Sequence, residues 1–215
     1  MKRWKKVVLW SVGIPAGALI GFLTLLFLVA PASGPTKGPK IEIYTSPRTA
    51  LLVIDLQEDY TGPEAKQYYR DADKIISVTN ELIVEAQSKG TLVVFIENTF
   101  ANPIFRVIVG GLNAPGAPGT EMDRRLIRIP GTRTFVKQTS DAFSTPELEI
   151  FLRNNQVNHV LVAGLDGVAC VDATARGALN RGYEVTMIPK AIAIHGQRPM
   201  AKLVQGWREA GAAVI

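Results

Sequence analysis

A chain of 215 residues is long enough for one domain with a sizeable core plus an extension. Its single cysteine excludes a framework of internal disulfides. The net charge of +5 is no footprint for nucleic acid: Lys2, Arg3, Lys5 and Lys6 crowd the first six residues, no acidic residue precedes residue 40, and the remainder carries 20 basic against 19 acidic residues.

Residues 1–6, "MKRWKK", read as a basic cytoplasmic flank, and residues 7–30 are 24 residues without a charge. A bilayer core takes roughly 20 apolar residues in a helix, so 7–30 is expected to be a transmembrane anchor. The core of a secretory signal is shorter, about 7–15 residues. A cleaved signal is the alternative, because "APA" at 30–32 resembles a small-residue cleavage site. The basic flank keeps the N-terminus cytoplasmic and sends the rest of the chain outside the cytoplasmic membrane, into the periplasm of a Gram-negative cell. Residues 31–48 begin with "PASGPTKGPK" and have the composition of a linker.

From there strands and helices alternate. "ALLVIDLQ" (50–57) is an apolar strand ending in a carboxylate. Residues 71–90 place Ile75, Ile76, Val78, Thr79, Leu82, Ile83 and Ala86 at helical spacing, with Gly90 as terminator. "TLVVFIE" (91–97) is a second strand, and 98–120, rich in Gly, Pro and Asn, a long loop of the kind that often carries function. "TFVKQ" (134–138) is a third strand. "STPELEIFLRNNQ" (144–156) opens with a Ser/Thr cap, an early Pro and a Glu, which predict a helix start. "HVLVAG" (159–164), a helix over 170–182, "YEVTMI" (183–188), a helix over 198–211 and a closing strand "AAVI" complete the series. The alternation predicts an α/β fold, a three-layer α-β-α sandwich around a mostly parallel six-stranded sheet, preceded by one transmembrane helix.

Ligands of such sheets bind outside the carboxyl ends of the strands. Asp55 ends the first strand, Lys137 ends the third, and Cys170 follows the fourth across a Gly-rich turn and opens a helix, so all three are expected on one rim. Singly, each has a plain structural reading: a turn carboxylate, a solvated lysine, a small buried hydrophobe. Together they supply what a thiol hydrolase needs. A helix N-terminus and a cation lower a thiol pKa, a carboxylate takes and returns the proton, and backbone N–H groups of "LDGVAC" face a developing oxyanion.

The blocks "LLVIDLQEDY", "FVKQTSDAF" with "STPELEIFLRNNQVNHVLVAG", and "AGLDGVACVDATARGALNRGYEVTMIPKAIA" resemble, in order and spacing, the isochorismatase-like cysteine hydrolases, which include nicotinamidases and N-carbamoylsarcosine amidohydrolase. The resemblance covers 49–215. It implies an Asp55–Lys137–Cys170 triad, a cis peptide bond at Leu165–Asp166, and an oxyanion hole from the N–H groups of Asp166 and Cys170. It places Gln57, Tyr60 and Phe143 near the substrate. Members with a metal carry an Asp/His cluster after the second strand, where this chain has "IENTFANPIFRVIVGG". No metal and no cofactor is therefore expected, and His159 and His195 read as structural. Asp166 stands where small residues are common; it either raises the Cys170 pKa, favours a cationic substrate, or points away. The expected function is a membrane-anchored cysteine hydrolase of a small amide or related C–N bond. The alternatives are a non-catalytic binding or sensing domain, and vinyl-ether hydrolysis of the isochorismatase type, which does not rely on the cysteine. The expected partners are a small-molecule substrate, the membrane and, as in the family, further copies in a homo-oligomer.

Overall fold

The computed structural model describes residues 16–196 and 198–215, in two compact units, one ending at Ala30 and one spanning Pro31–Ile215. In the first, helix α1 runs over Ala16–Val29 and is uncharged throughout. Residues 1–15, which include the basic flank and the first nine residues of the expected span, lie outside the described residues. Among the described residues no helix is long and apolar enough to cross a membrane.

The second unit is built on six parallel strands: β1 (Arg48–Ile54), β2 (Leu92–Asn98), β3 (Arg133–Lys137), β4 (Val157–Gly164), β5 (Glu184–Ile192) and β6 (Ala213–Val214). Their spatial order is β3-β2-β1-β4-β5-β6. The chain first winds outward from β1 to β3, then crosses back to β4 and winds the other way. The loops after β1 and β4 therefore diverge, which opens a crevice at the carboxyl ends of the two central strands.

Alternation along β1 sets the layers. Ala50, Leu52 and Ile54 pack with Leu148 and Leu152 of α5 (Pro146–Asn154), Val171 and Ala175 of α6 (Cys170–Asn180), and Trp207 of α7 (Met200–Glu209). Leu51 and Val53 face the other way, onto Ile75, Ile76 and Ile83 of α3 (Ala72–Ser88). Strand residues buried on both faces explain why these runs are continuously apolar.

The expected elements are present with shifted ends and some corrections. The loop 98–120 contains a short helix, α4 (Pro103–Ile108), because Asn102 Oδ1 accepts from the Ile104 and Phe105 N–H groups and Pro103 starts the turn. Helix α5 lacks the expected side-chain cap: the Thr145 hydroxyl donates instead to the Val136 carbonyl at 3.0 Å. A four-residue helix, α2 (Glu58–Thr61), follows β1 directly. Residues 31–48 do not behave as a free linker, since they belong to the same compact unit as the sheet.

Gly164 closes β4 at the crevice with φ +120°, and a Cβ there would lie 2.0 Å from the Ile54 carbonyl oxygen. The close approach lets the Leu165 N–H reach that same oxygen at 2.9 Å, which ties the β4 turn to the end of β1. Gly164→Ala is expected to cost about 3 kcal/mol or more, through backbone displacement and a disfavoured φ. Denaturant unfolding measures this, and an unchanged midpoint would contradict the role of this contact.

Candidate active site

Three chain segments deliver the central side chains. Asp55 follows β1 in the left-handed region at φ +54°, a conformation Asp tolerates better than most residues. Its N–H donates to the Ile96 carbonyl and its carbonyl accepts from the Gln57 N–H at 2.8 Å, so the turn is fixed on both sides. Lys137 is the last residue of β3 and is only 1% exposed. Cys170 is the first residue of α6 and is partly accessible.

The structure brings these three together. Lys137 Nζ donates to Asp55 Oδ2 at 2.8 Å and to Cys170 Sγ at 3.2 Å. The other oxygen, Asp55 Oδ1, is buried without a hydrogen-bond partner. Burial pushes the Asp55 carboxyl above its ordinary pKa, and the Lys137 cation only partly pulls it back. Burial pulls Lys137 down, but the facing charges of Asp55 and Cys170 outweigh this and hold it above its usual value. Burial and the Asp55 charge push the Cys170 thiol up to about 12. The expectation of a lowered thiol pKa is thus corrected: burial and the Asp55 carboxylate outweigh the Lys137 cation. One cation here balances one anion, so Asp55 and Cys170 share a single proton between them.

The Leu165–Asp166 peptide bond is cis, as expected. The Asp166 carbonyl accepts from the Ala169 and Val171 N–H groups at 3.0 Å each. Among the described residues the N–H groups of Asp166 and Cys170 have no acceptor, so two backbone donors remain available beside the thiol. The Asp166 carboxylate is taken up by three donors. It accepts from the Val168 N–H at 2.8 Å, the His195 N–H at 2.8 Å and the Tyr69 hydroxyl at 3.1 Å.

The other expected residues divide. The Tyr60 hydroxyl accepts from Asn113 Nδ2 at 2.8 Å, and its ring meets Tyr69 edge-on at 5.9 Å. Burial and the charges of Asp55 and Cys170 push its phenol up, which places Tyr60 beside the cluster. The Gln57 amide is bonded to backbone. Its Oε1 accepts from the Asn98 N–H, and its Nε2 donates to the carbonyls of Asn98 and Thr120, so both amide protons are spent on stapling β1, β2 and the 113–120 loop. Phe143 is 3% exposed, packs in the core against Tyr183 at 5.4 Å, and lies under the Arg181 guanidinium. His159 bonds Thr186 across β4 and β5. His195 lies nearer the site than its sequence position indicated, its ring 5.5 Å from that of Tyr69. Tyr69, Asn98 and Asn113 carried no sequence signal; Asn98 and Asn113 each bury an amide oxygen without a partner.

The residues from the end of β2 onward do not fit a metal. Asn98, Thr99 and Phe100 offer no carboxylate or imidazole, and among the described residues no group of three or more His, Cys, Asp or Glu side chains is placed to hold an ion.

A doubly wound α/β domain with a Cys–Asp–Lys cluster at the carboxyl ends of its strands defines the class. The isochorismatase domain model matches residues 49–215, and the chain belongs to the isochorismatase family. It is 34% identical to a streptothricin hydrolase of Streptomyces noursei over 142 residues, 66% of this chain and 52% of that protein, so it spans about half that relative's length. It is 30% identical over 151 residues to YddQ, an uncharacterised isochorismatase family protein of Bacillus subtilis, covering 67% of this chain and 77% of the relative. The structure of the pyrazinamidase of Pyrococcus horikoshii in complex with zinc superposes with a TM-score of 0.69 at 27% identity, covering 79% of this chain and 99% of that one.

The charge balance yields a signed prediction. Cys170 is expected to stay protonated through neutral pH, so that alkylation by iodoacetamide rises only as pH climbs above the ordinary thiol value of 9.0 toward about 12. Asp55→Asn removes the anion beside the sulfur and leaves Lys137, so the alkylation profile shifts to lower pH. A shift upward, or none, would show that the carboxylate does not control the thiol.

Proposed function

We propose that the chain is a cysteine-dependent hydrolase of a small amide or related C–N bond, with Cys170 as nucleophile, Asp55 as general base and acid, and Lys137 as the cation that holds whichever of the two is ionised. The observation that carries this reading is the Lys137 ammonium bonded at once to Asp55 Oδ2 at 2.8 Å and Cys170 Sγ at 3.2 Å. Family membership and the names of the relatives, a streptothricin hydrolase and a pyrazinamidase, support amide chemistry.

Asp55 takes the Sγ–H proton as sulfur attacks the carbonyl carbon. The new C–S bond places negative charge on the former carbonyl oxygen, within reach of the free N–H groups of Asp166 and Cys170. Collapse breaks the C–N bond, and the departing amine takes the proton from Asp55, leaving a thioester. Asp55 then deprotonates a water that attacks the thioester. The C–S bond breaks, the acid leaves, and the thiolate recovers the proton. Throughout, the site carries one negative charge, on Asp55 at rest and on the substrate oxygen in the tetrahedral intermediate, which is why a thiol with a high resting pKa serves: the proton moves only as attack begins.

The uncharged run 7–30 and its basic flank support a membrane anchor with the domain on the extracytoplasmic side. The full chain is expected in the membrane fraction, resistant to carbonate extraction. Recovery in the soluble fraction without cleavage would refute the anchor.

Cys170→Ala is expected to abolish turnover across an amide panel that includes pyrazinamide and streptothricin. Asp55→Asn is expected to lower kcat by at least about 10²-fold, the usual share of a general acid–base. Mass spectrometry of the quenched wild type is expected to show an acyl adduct on Cys170. Full turnover by Cys170→Ala would overturn the covalent route.

A further inference from the structure

Residues 32–41 lie upstream of the family match, which begins at residue 49, yet they are bonded into the domain along their length. The Ala32 carbonyl accepts from the Ser140 N–H at 3.2 Å. Thr36 donates both its N–H and its hydroxyl to Asp141 Oδ2, each at 2.7 Å. Arg181 Nη1 donates to the Thr36 hydroxyl at 3.0 Å, and Asn180 Nδ2 donates to the Thr36 carbonyl at 2.8 Å. Farther on, Arg153 Nη2 donates to the Pro39 carbonyl at 2.6 Å, and the Ile41 N–H donates to the Arg181 carbonyl at 2.8 Å.

What this segment grips matters for the site. Asp141 is fully buried and stands four residues beyond Lys137. Cys170, Thr174, Gly177 and Arg181 fall at i, i+4, i+7 and i+11, one stripe running the length of α6. The segment 137–142 lies along that stripe. Lys137 Nζ meets Cys170 Sγ at 3.2 Å, and the Ala142 N–H meets Thr174 Oγ1 at 3.0 Å. Asp141 lies so close to Gly177 that a Cβ there would be 2.2 Å from its carboxylate. Thr36 and Arg181 close the far end of the stripe.

We propose that residues 32–41 form a strap integral to the catalytic domain, and that Thr36 acts as a positioning residue. It holds Asp141 against α6 and so fixes Cys170 opposite Lys137. This rests on the hydrolase reading above for its kinetic consequence, though not for the docking of the strap. Without the Thr36 hydroxyl the buried Asp141 carboxylate loses one of its donors, and Arg181 loses an acceptor. The register of 137–142 along α6 then loosens, and the Lys137–Cys170 separation with it.

The test uses the full chain with Thr36→Val, which keeps the shape and removes the hydroxyl, and Thr36→Ser, which keeps the hydroxyl. On the panel amide that the wild type hydrolyses fastest, Thr36→Val is expected to lower kcat about 10-fold, in keeping with the sensitivity of catalysis to small misplacements. KM is expected to stay within about twofold, the signature of a group acting on the chemical step rather than on substrate binding. Thr36→Ser is expected to restore the wild-type kcat. Two further readouts need no turnover: trypsin cleavage after Lys37 and Lys40 in the strap, and the rate of Cys170 alkylation by iodoacetamide at fixed pH. Thr36→Val is expected to speed the cleavage and to change the alkylation rate. Cleavage as fast in the wild type as in Thr36→Val would overturn the docked strap. Faster cleavage with unchanged kcat and unchanged alkylation would overturn the positioning role. If the wild type turns over no amide, the hydrolase reading fails, while cleavage and alkylation still decide the strap.

Discussion

A lysine ammonium held away from water is the constraint on which this domain is arranged. Lys137 is buried at the end of an edge-side strand, and its charge is balanced by Asp55 at 2.8 Å. A buried ion pair of this kind is a poor source of stability, and loss of one partner costs about 3–5 kcal/mol because the other charge is stranded. The arrangement therefore requires β1 to end where it does, β3 to end level with it, and α6 to begin where its first residue meets the same ammonium. The strand order provides this geometry. β1 and β4 are neighbours whose loops diverge, and β3 lies two strands away, within the reach of a lysine side chain.

Backbone bonds hold each of these ends in place before any side chain acts. The Asp55 N–H is tied to β2 through the Ile96 carbonyl, the Leu165 N–H is tied to β1 through the Ile54 carbonyl, and the Lys137 carbonyl accepts from the Thr99 N–H at 2.9 Å. Gln57 adds a side-chain staple across the same strand ends. Asp166 does comparable work on the opposite side, where its carboxylate collects the loop at His195 and the ring of Tyr69. The site is thus rigid on the β1, β2 and β4 sides. On the α6 side its placement depends on the 137–142 segment and on what braces that segment from behind.

This division explains what the sequence discloses. Asp55, Lys137 and Cys170 are legible because each lies at the carboxyl end of a strand or at the start of the helix beyond it, where ligands of such sheets bind, and because each falls in a block that resembles the family. Gln57 and Phe143 are near the cluster along the chain, but nearness does not say which way a side chain points; Gln57 turns to backbone carbonyls and Phe143 to Tyr183 and Arg181. The 31–48 segment misleads for a related reason. Pro, Gly and Ser signal the absence of helix and strand, which is true of residues 32–41, but they say nothing of docking. The partners that dock the segment, Asp141 and Arg181, lie 105 and 145 positions away from Thr36, beyond the reach of any local pattern. The same holds for Asp166, whose three donors come from residues 69, 168 and 195.

The charge count also bears on where such a thiol can survive. A cysteine nucleophile works either as a standing thiolate beside excess positive charge or as a neutral thiol that yields its proton to a base at the moment of attack. Oxidation follows thiolate character and exposure, so the first kind is the more vulnerable at rest. Here one cation faces two acids, and burial, together with the charge of the carboxylate proposed as base, pushes the sulfur up to about 12. In the proposed mechanism the cluster stores its nucleophile in the less reactive form and releases it only against an acceptor that lets negative charge flow onto oxygen. That trade suits a single cysteine in a domain proposed to lie outside the cytoplasm, where no thiol pool would restore an oxidised sulfur. In the same proposal Asp55 both restrains and activates Cys170, so the restraint ends only when a substrate carbonyl is in place to receive the charge.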